Sequence, residues 1–484
     1  MKNTPHPRGN WSRRRFLRSL TLVAGGLLVA PSLLLGGCSG DDDDEKPNPG
    51  LSTPIDPTKV GSVAIIGAGA AGLQAALDLR ARGVEVKVYE ATNTWGGRVR
   101  SLTRWADFPV ELGAEEVHGV NSILGRYVRE AGARYVDVGG TDYIFLPPLL
   151  HTERQAENIR EFALAQALYE ELDDLDEWGG ADQSMFDLVR SRGMANNTLP
   201  WLNAVLANEY GTSLRRIGIK ARVDADANRV EPGADALLAD QSMQQVLQRK
   251  YESVLPLVQG NTPIVNVRLA EDGSVELRDR QGRVFTHRRV VVTAPLAVLK
   301  ANKITFEPGL PEGIRTAIVR LGMDPGMKVI LKFRRGFWQP NTGSIYGAGP
   351  IPEYWATAVG RGREDRYLTA FVHGELAESL IAAGESAGVQ RILQDLDAMY
   401  GPGKATDNLE AHLWMDWSAE EWIGGAYSYP AVGSSGVALA FEQPVRDSLF
   451  FAGEHTHNGG YYATVHGAIE SGQRVARQVL DTGR

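Results

Sequence analysis

At 484 residues the chain is too long for one ordinary hydrophobic core and has room for two domains. Hydrophobic residues make up 43% and charged residues 23%, a globular composition, and the formal net charge of −8 argues against nucleic-acid binding. The same balance is compatible with a cationic small-molecule partner.

The first forty residues carry export signals. Ser12-Arg13-Arg14-Arg15-Phe16-Leu17-Arg18 resembles a twin-arginine signal, and the apolar stretch over 20–35 that follows is short for a membrane span. It runs into Leu35-Gly36-Gly37-Cys38, which resembles the cleavage box of a bacterial lipoprotein, and Cys38 is the sole cysteine. An uncleaved anchor helix or a plain signal peptide are the alternatives. The favoured expectation is an exported, periplasmic or outer-envelope protein held to the membrane through a lipidated Cys38. A disulfide then has no second thiol, so the core must suffice alone. Residues 39–58, acidic and then rich in Pro and Gly, read as a disordered tether. No later segment is long and apolar enough to span a bilayer.

An apolar strand, Val63-Ala64-Ile65-Ile66, then runs into Gly67, Gly69 and Gly72, and a helical run over 73–82 follows. Gly67 permits the tight turn, Gly69 lets backbone approach a pyrophosphate, and Gly72 allows close strand–helix packing. The helix start, with Ala70 and Ala71, offers free N–H groups and the positive dipole end to phosphates. A second strand over 84–89 ends on Glu90, 23 residues past Gly67 and placed to accept hydrogen bonds from an adenosine ribose. An acidic residue there disfavours NADP.

From 121 to 248 the pattern is largely helical, with apolar residues at three- and four-residue spacing over 157–177 and 184–192. Strand signals return over 264–269, 275–277 and 290–293, and a mixed region over 304–429 contains a strand at 328–333. The glycine-rich C-terminal forty residues are nucleotide-like again. This interleaving predicts an α/β, Rossmann-like cofactor domain built from residues 59–125, 245–300 and 430–484. A substrate domain is inserted as 126–244 and 301–429.

Further ordered segments carry a family likeness. They are Trp95-Gly96-Gly97-Arg98, Val110-Glu111-Leu112-Gly113-Ala114-Glu115-Glu116-Val117-His118-Gly119, Pro263-Ile264-Val265-Asn266 and Val291-Val292-Thr293-Ala294-Pro295. Next come Gly326-Met327-Lys328-Val329, Asp416-Trp417 with Gly425-Ala426-Tyr427-Ser428, and Phe450-Phe451-Ala452-Gly453-Glu454-His455 with Ala463-Thr464-Val465-His466. From about residue 60 onward the chain resembles the flavin-containing amine oxidases, a family that includes monoamine oxidases, polyamine oxidases and flavin histone demethylases.

The resemblance implies FAD, the amine oxidase fold and oxidation of a carbon–nitrogen bond. Arg98 and Gly97 would serve the flavin diphosphate, and Gly113, Ala114 and Glu115 would lie beside the isoalloxazine. Ile264 would flank the adenine, and Glu454 would meet the ribityl-phosphate region. Thr464 and Val465 would open a helix aimed at the pyrimidine carbonyl. Lys328 would face the flavin's reactive nitrogen through a water, with Tyr427 and Trp417 as aromatic walls. Ala426 stands where some members carry the cysteine that attaches flavin, which implies noncovalent FAD. Thr464 stands where monoamine oxidases keep a second cage tyrosine; Tyr461 or Tyr462 could compensate.

Against these roles stand ordinary ones. Tyr427 and Trp417 could be core aromatics, Glu115 and Glu116 are expected as solvated loop charges, and His118 and His466 as structural or cofactor-neighbouring. No His/Cys/Asp/Glu cluster has metal-ligand spacing. The leading expectation is oxidation of a polyamine or monoamine to an imine, hydrolysed to an aldehyde and ammonia or a smaller amine. Oxygen or an electron-transfer protein would then take the electrons. An L-amino-acid oxidase, which needs an arginine to clamp a carboxylate, and a non-catalytic flavoprotein are the alternatives.

Overall fold

The computed structural model describes residues 56–136, 139–230, 232–362 and 365–484. The twin-arginine stretch, Cys38 and almost all of the tether lie outside them. Among the described residues no helix is long and apolar enough to cross a membrane.

Five short strands form a parallel sheet in the order Leu449–Phe451, Arg289–Val292, Val63–Ile66, Val86–Tyr89, Val258–Gln259. The inner strands are rich in valine and isoleucine because both faces are covered, as parallel sheets require. On one face lie the helices Ala70–Ala81 and Val465–Asp481, which share one apolar core with Ile65, Val88 and Val291. The other face packs Ile66, Val290 and Val292 against a second core beneath a four-stranded sheet that includes Ile264–Leu269 and Val275–Asp279. Ile66 pairs with Tyr89 on one side and Val292 on the other, and Val292 with Phe451. The carboxyl ends of four strands therefore meet along one edge, where ligands sit in open α/β sheets.

A seven-stranded, mostly antiparallel sheet supplies the opposite wall. Its order is Leu409–Asp416, Gly326–Phe333, Tyr367–His373, Glu353–Ala356, Thr342–Tyr346, Thr141–Leu146, Leu149–Thr152. The last two strands are an exception within 121–248, a region otherwise mostly helical as expected. Tyr143, Ile144 and Phe145 favour a pleated surface, Pro147-Pro148 interrupts the run, and the resulting hairpin extends the sheet.

Other boundaries shift for local reasons. The first helix begins at Ala70, because Gly69 is its N-cap. The second strand begins at Val86, since the Val84 N–H still closes the helix end on the Leu79 carbonyl. The helix expected over 157–177 is Arg160–Asp173, preceded by a separate turn, Glu153–Ala156, with a Thr152/Gln155 capping box.

Candidate active site

One cavity of about 560 Å³ runs along the carboxyl edge of the parallel sheet and under the seven-stranded sheet. Seventeen of the eighteen site residues expected from the sequence line it: Gly67, Gly69, Ala70, Ala71, Glu90, Gly97, Arg98, Gly113, Ala114, Glu115, Ile264, Lys328, Trp417, Tyr427, Glu454, Thr464 and Val465. Gly72 stands behind the lining, packed against the Gly67 carbonyl and Thr293, where a side chain would collide.

The nucleotide end is built from backbone. Gly67 has φ of 106°, and a Cβ there would come within 2.6 Å of Thr293 Oγ1. That hydroxyl donates to the Ile66 carbonyl at 2.8 Å, tying the turn to the neighbouring strand. At Gly69 a Cβ would meet nothing within 4 Å, so it would project into the cavity's open space. The first helical N–H groups, from Ala70 onward, have no side-chain cap and face the same space. This open, side-chain-free cradle at a positive helix end fits a pyrophosphate. Glu90 is already engaged with protein: one oxygen accepts from the Ala68 N–H and the other from the Thr92 N–H, each at 2.9 Å. The second oxygen also accepts from the Thr92 hydroxyl at 3.0 Å, so these bonds hold the carboxylate in place and the oxygen that faces the Ala68 N–H keeps a lone pair for a ribose hydroxyl.

Glu454 is a buried hub. It accepts from Arg98 Nη1 at 2.9 Å, the Ser428 hydroxyl at 2.6 Å and the Ala463 N–H at 3.0 Å. Burial opposes its charge, but Arg98 and the hydrogen bonds outweigh that and hold its pKa below the ordinary glutamate range. Arg98 also donates to the Ala426 carbonyl at 2.8 Å. Thr464 caps the helix Val465–Asp481 by accepting from the Gly467 N–H at 3.0 Å, leaving Val465 at a positive end that lines the cavity.

Glu115 and Glu116 are not solvated loop charges. Glu115 is 8% exposed, and its carboxylate accepts from Lys328 Nζ at 2.7 Å, with Arg361 at 3.9 Å on its other oxygen. The reason is topological: the strand Gly326–Phe333 carries Lys328 over the loop, so the carboxylate finds a buried cation instead of water. Lys328 is itself 4% exposed and lies 5.0 Å from the Trp355 ring. The side chain of Glu116 is 12% exposed, and His118 Nδ1 lies 3.8 Å from it and 3.3 Å from Asp235. These three residues bring ligand-type atoms within 4.8 Å of one another although Asp235 is 117 residues from His118. Spacing along the chain gives no sign of that grouping. Three ligand-type residues alone define no metal site, and exposed or half-buried acids commonly gather without one.

The aromatic walls are hydrogen-bonded as well as packed. Trp417 Nε1 donates to the Leu112 carbonyl at 3.0 Å, and Arg100 lies 5.0 Å from its ring. Tyr427 donates to the Glu209 carbonyl at 2.8 Å. Tyr462 lines the cavity and donates to Asp226 at 3.1 Å, whereas Tyr461 packs on His466 at 4.4 Å and is outside the lining. His466 is buried behind the site, and burial together with the positive potential of His118, His457 and Arg229 pushes its pKa down to about 3.

The far wall comes from the helical insert, where the motifs gave no guidance. Glu116, Asp142, Asp173, Asp174, Asp176, Glu209, Asp226 and Asp235 line it, against only Arg222 and Arg229 among the cations of that region. Arg222 is consumed internally: it donates to the Leu172 carbonyl at 2.8 Å and pairs with Asp226 at 3.3 Å and Asp173 at 3.4 Å. The acidic run Leu172-Asp173-Asp174-Leu175-Asp176-Glu177 was a readable signal for this wall.

A glycine-turn cradle at the edge of a parallel sheet, joined to a walled cavity under a second sheet, defines a dinucleotide-dependent α/β protein. The model of the family "Flavin containing amine oxidoreductase" matches residues 70–480, and the chain belongs to that family. It is 30% identical to Lysine-specific histone demethylase 1 homolog 2 of Oryza sativa subsp. japonica, over 87% of this chain and 57% of that protein. It is 26% identical to Polyamine oxidase 3 of the same organism, over 86% of this chain and 88% of that one. The chain thus spans little more than half the length of its demethylase relatives. Its fold is that of a putrescine oxidase solved with putrescine, at TM-score 0.74, 22% identity and coverage of 87% and 99% of the two chains. Cyclohexylamine oxidase from Brevibacterium oxydans shares the fold at TM-score 0.72, 20% identity and the same coverage.

Proposed function

We propose that the protein oxidises an extended, multiply charged amine, a diamine or polyamine, at noncovalently held FAD. The observation that carries this reading is the acidic wall: eight carboxylates line the cavity there against two arginines, an excess that persists when Asp173 and Asp226 are set aside as the partners of Arg222. A string of carboxylates raises the local concentration of a polycation and discriminates against anions. Polyamine oxidase 3 and the putrescine oxidase with its bound putrescine support it by likeness.

The residues divide the work. The Gly67–Ala71 turn and helix start would hold the pyrophosphate, Glu90 the ribose, Ile264 the adenine, and Arg98 and Glu454 the linker. FAD, when bound, supplies acceptance of a hydride equivalent from the carbon beside nitrogen. The chain's task is orientation and exclusion of water between Tyr427, Trp417 and Lys328. The buried Glu115–Lys328 pair keeps an ammonium donor fixed at the cavity floor, where it can hold an ordered water. With Ala426 in place of an attaching cysteine, denaturation should release the yellow cofactor.

The alternative of an L-amino-acid oxidase finds little support among the cavity arginines. Arg98 is bound to Glu454, Arg100 to Glu420, and Arg222 to Asp173 and Asp226, while Arg229 lies 5.9 Å from the Tyr461 ring among the acids of that wall. From the leader we also propose twin-arginine export and lipid attachment at Cys38. The decisive experiment is an amine panel with peroxide detection, run beside an artificial electron acceptor and with amino acids in parallel. Diamines and polyamines should be the best substrates. Preference for amino acids would sink the reading, and flavin that no amine bleaches would leave the non-catalytic alternative.

A further inference from the structure

His373 ends the strand Tyr367–His373 and belongs to none of the motifs that mark the site, yet it lines the cavity and is 3% exposed. Its partner in the sheet is Gly326, two residues before Lys328. A Cβ at position 326 would lie 2.5 Å from His373 Cδ2 and 2.9 Å from Nε2, so the imidazole edge occupies space that only a glycine leaves. Phe371 packs edge-on at 4.3 Å and Tyr427 at 5.2 Å, which hold the ring plane.

The tautomer follows from Asn208, which is fully buried. The Asn208 amide donates through Nδ2 to the Phe371 carbonyl at 3.2 Å, and its Oδ1 accepts from the His373 backbone N–H at 3.0 Å. Two backbone groups of fixed polarity thus orient the amide. The same Oδ1 lies 3.3 Å from His373 Nδ1. A carbonyl oxygen only accepts, so Nδ1 carries the proton and Nε2 carries the lone pair. Asn208 closes a π-helical turn, Ala204–Asn208, an irregularity frequent at functional sites. The next residue, Glu209, receives the Tyr427 hydroxyl. One turn therefore sets both the aromatic wall and the imidazole tautomer. Among the described residues Nε2 makes no hydrogen bond.

We propose that His373 is a substrate-binding residue whose Nε2 accepts an N–H of the substrate's reacting amine. This rests on the amine-oxidation reading above. Burial, and then the charge of Lys328, push the His373 pKa down to about 3, so the ring stays neutral at working pH and does not repel a cationic substrate. A neutral acceptor suits the amine as it must be presented for oxidation: uncharged, with its nitrogen lone pair left available.

The test uses the FAD-loaded protein and 1,4-diaminobutane, with flavin bleaching followed by stopped flow. His373→Phe keeps a ring without an acceptor, whereas His373→Gln restores an acceptor in a side chain of different shape. The phenylalanine variant should slow bleaching about 3- to 10-fold, the worth of one neutral hydrogen bond, and the glutamine variant should stay within about twofold of wild type. A purely structural role predicts the reverse, because an unringed polar side chain fits the aromatic pocket worse. In wild-type protein labelled with 15N-histidine, the His373 Nε2 signal, assigned by its loss in His373→Gln, should read as unprotonated and move on addition of the diamine. Wild-type rates in His373→Phe, a glutamine variant no better than it, or an Nε2 signal unmoved by amine would each overturn the proposal. Wild-type flavin that no primary, secondary or tertiary amine bleaches would overturn the amine-oxidation reading itself, and this proposal with it.

Discussion

Lys328 and Glu115 are each almost without solvent, and neither is tolerable there alone, since an uncompensated buried charge costs about 3–5 kcal/mol. Their pairing explains why a lysine can be kept at the floor of an apolar-walled site. Lys328→Met should lower stability by about 3–5 kcal/mol, since Glu115 loses its close cation, and in the folded, FAD-loaded variant it should slow flavin bleaching at saturating amine by about 10- to 100-fold, the scale of one charged hydrogen bond. Stopped-flow half-reaction rates equal to wild type would remove Lys328 from the reaction.

His466 offers a test by pH. Its pKa in the fold is about 3, against about 6.5 in an unfolded chain. The unfolded state therefore binds the extra proton between those values, and the stability linked to His466 is full above about pH 6.5 and lost as pH falls toward 3. Glu111 works in the opposite sense: burial raises its pKa to about 7, so its contribution grows as pH drops below that. His466→Leu isolates the first effect. Its unfolding free energy should fall less steeply than wild type between pH 6.5 and 4.5, by about 1.4 kcal/mol per pH unit, measured by urea titration. Parallel pH slopes would show that His466 is not held neutral.

At the scale of elements, two helix starts line the same cavity. The helix Ala70–Ala81 leaves its first N–H groups bare because Gly69 has no side chain to cap them, whereas Val465–Asp481 is capped by Thr464 and presents only its dipole and Val465. In the proposed function the first would take the close approach of an anion and the second would face a carbonyl. Gly69→Val tests the first. A Cβ there would enter the open cradle with no protein atom within 4 Å, so the fold should persist and FAD retention should fall by more than tenfold, read from the flavin-to-protein absorbance ratio. Full FAD loading in that variant would show that the cradle does not hold the pyrophosphate. The network of Arg222, Asp173, Asp226 and Tyr462 then joins the helical wall to the C-terminal loop. A cavity wall is thereby tied to the cofactor half by hydrogen bonds across the chain.

At the scale of the whole molecule, strands from distant stretches of chain interleave into the parallel sheet, while the seven-stranded sheet draws on 141–152 and 326–416. The catalytic space lies where the two meet, so neither half can form it alone. Under the proposed twin-arginine export, such a protein would cross the membrane already folded around its cofactor. Cys38→Ser should shift the protein from the membrane to the soluble fraction, or leave its leader unprocessed, on cell fractionation and immunoblotting. Identical fractionation of variant and wild type would exclude lipid attachment at Cys38.

Local rules were enough for the nucleotide half. The turn at Gly67–Gly72, the strand Ile264–Leu269 and the helix opening at Thr464 depend on residues close in sequence, and glycine conformations, alternation and capping are local chemistry. They were legible to within a few residues. The sequence alone also supplied Lys328, Tyr427 and Trp417 as candidates through ordered motifs. What it could not supply was company. Glu115 reads as a solvated acid until the strand bearing Lys328 is laid over it 213 residues later in the chain. His373 lies in no sequence motif and is oriented by Asn208, and the β-favouring run over Thr141–Leu146 becomes a sheet edge by pairing with Thr342–Tyr346. Those pairings are long-range. The burial that decides whether a charge is solvated or paired, and which ring nitrogen holds a proton, is a property of the assembled fold and of no segment by itself.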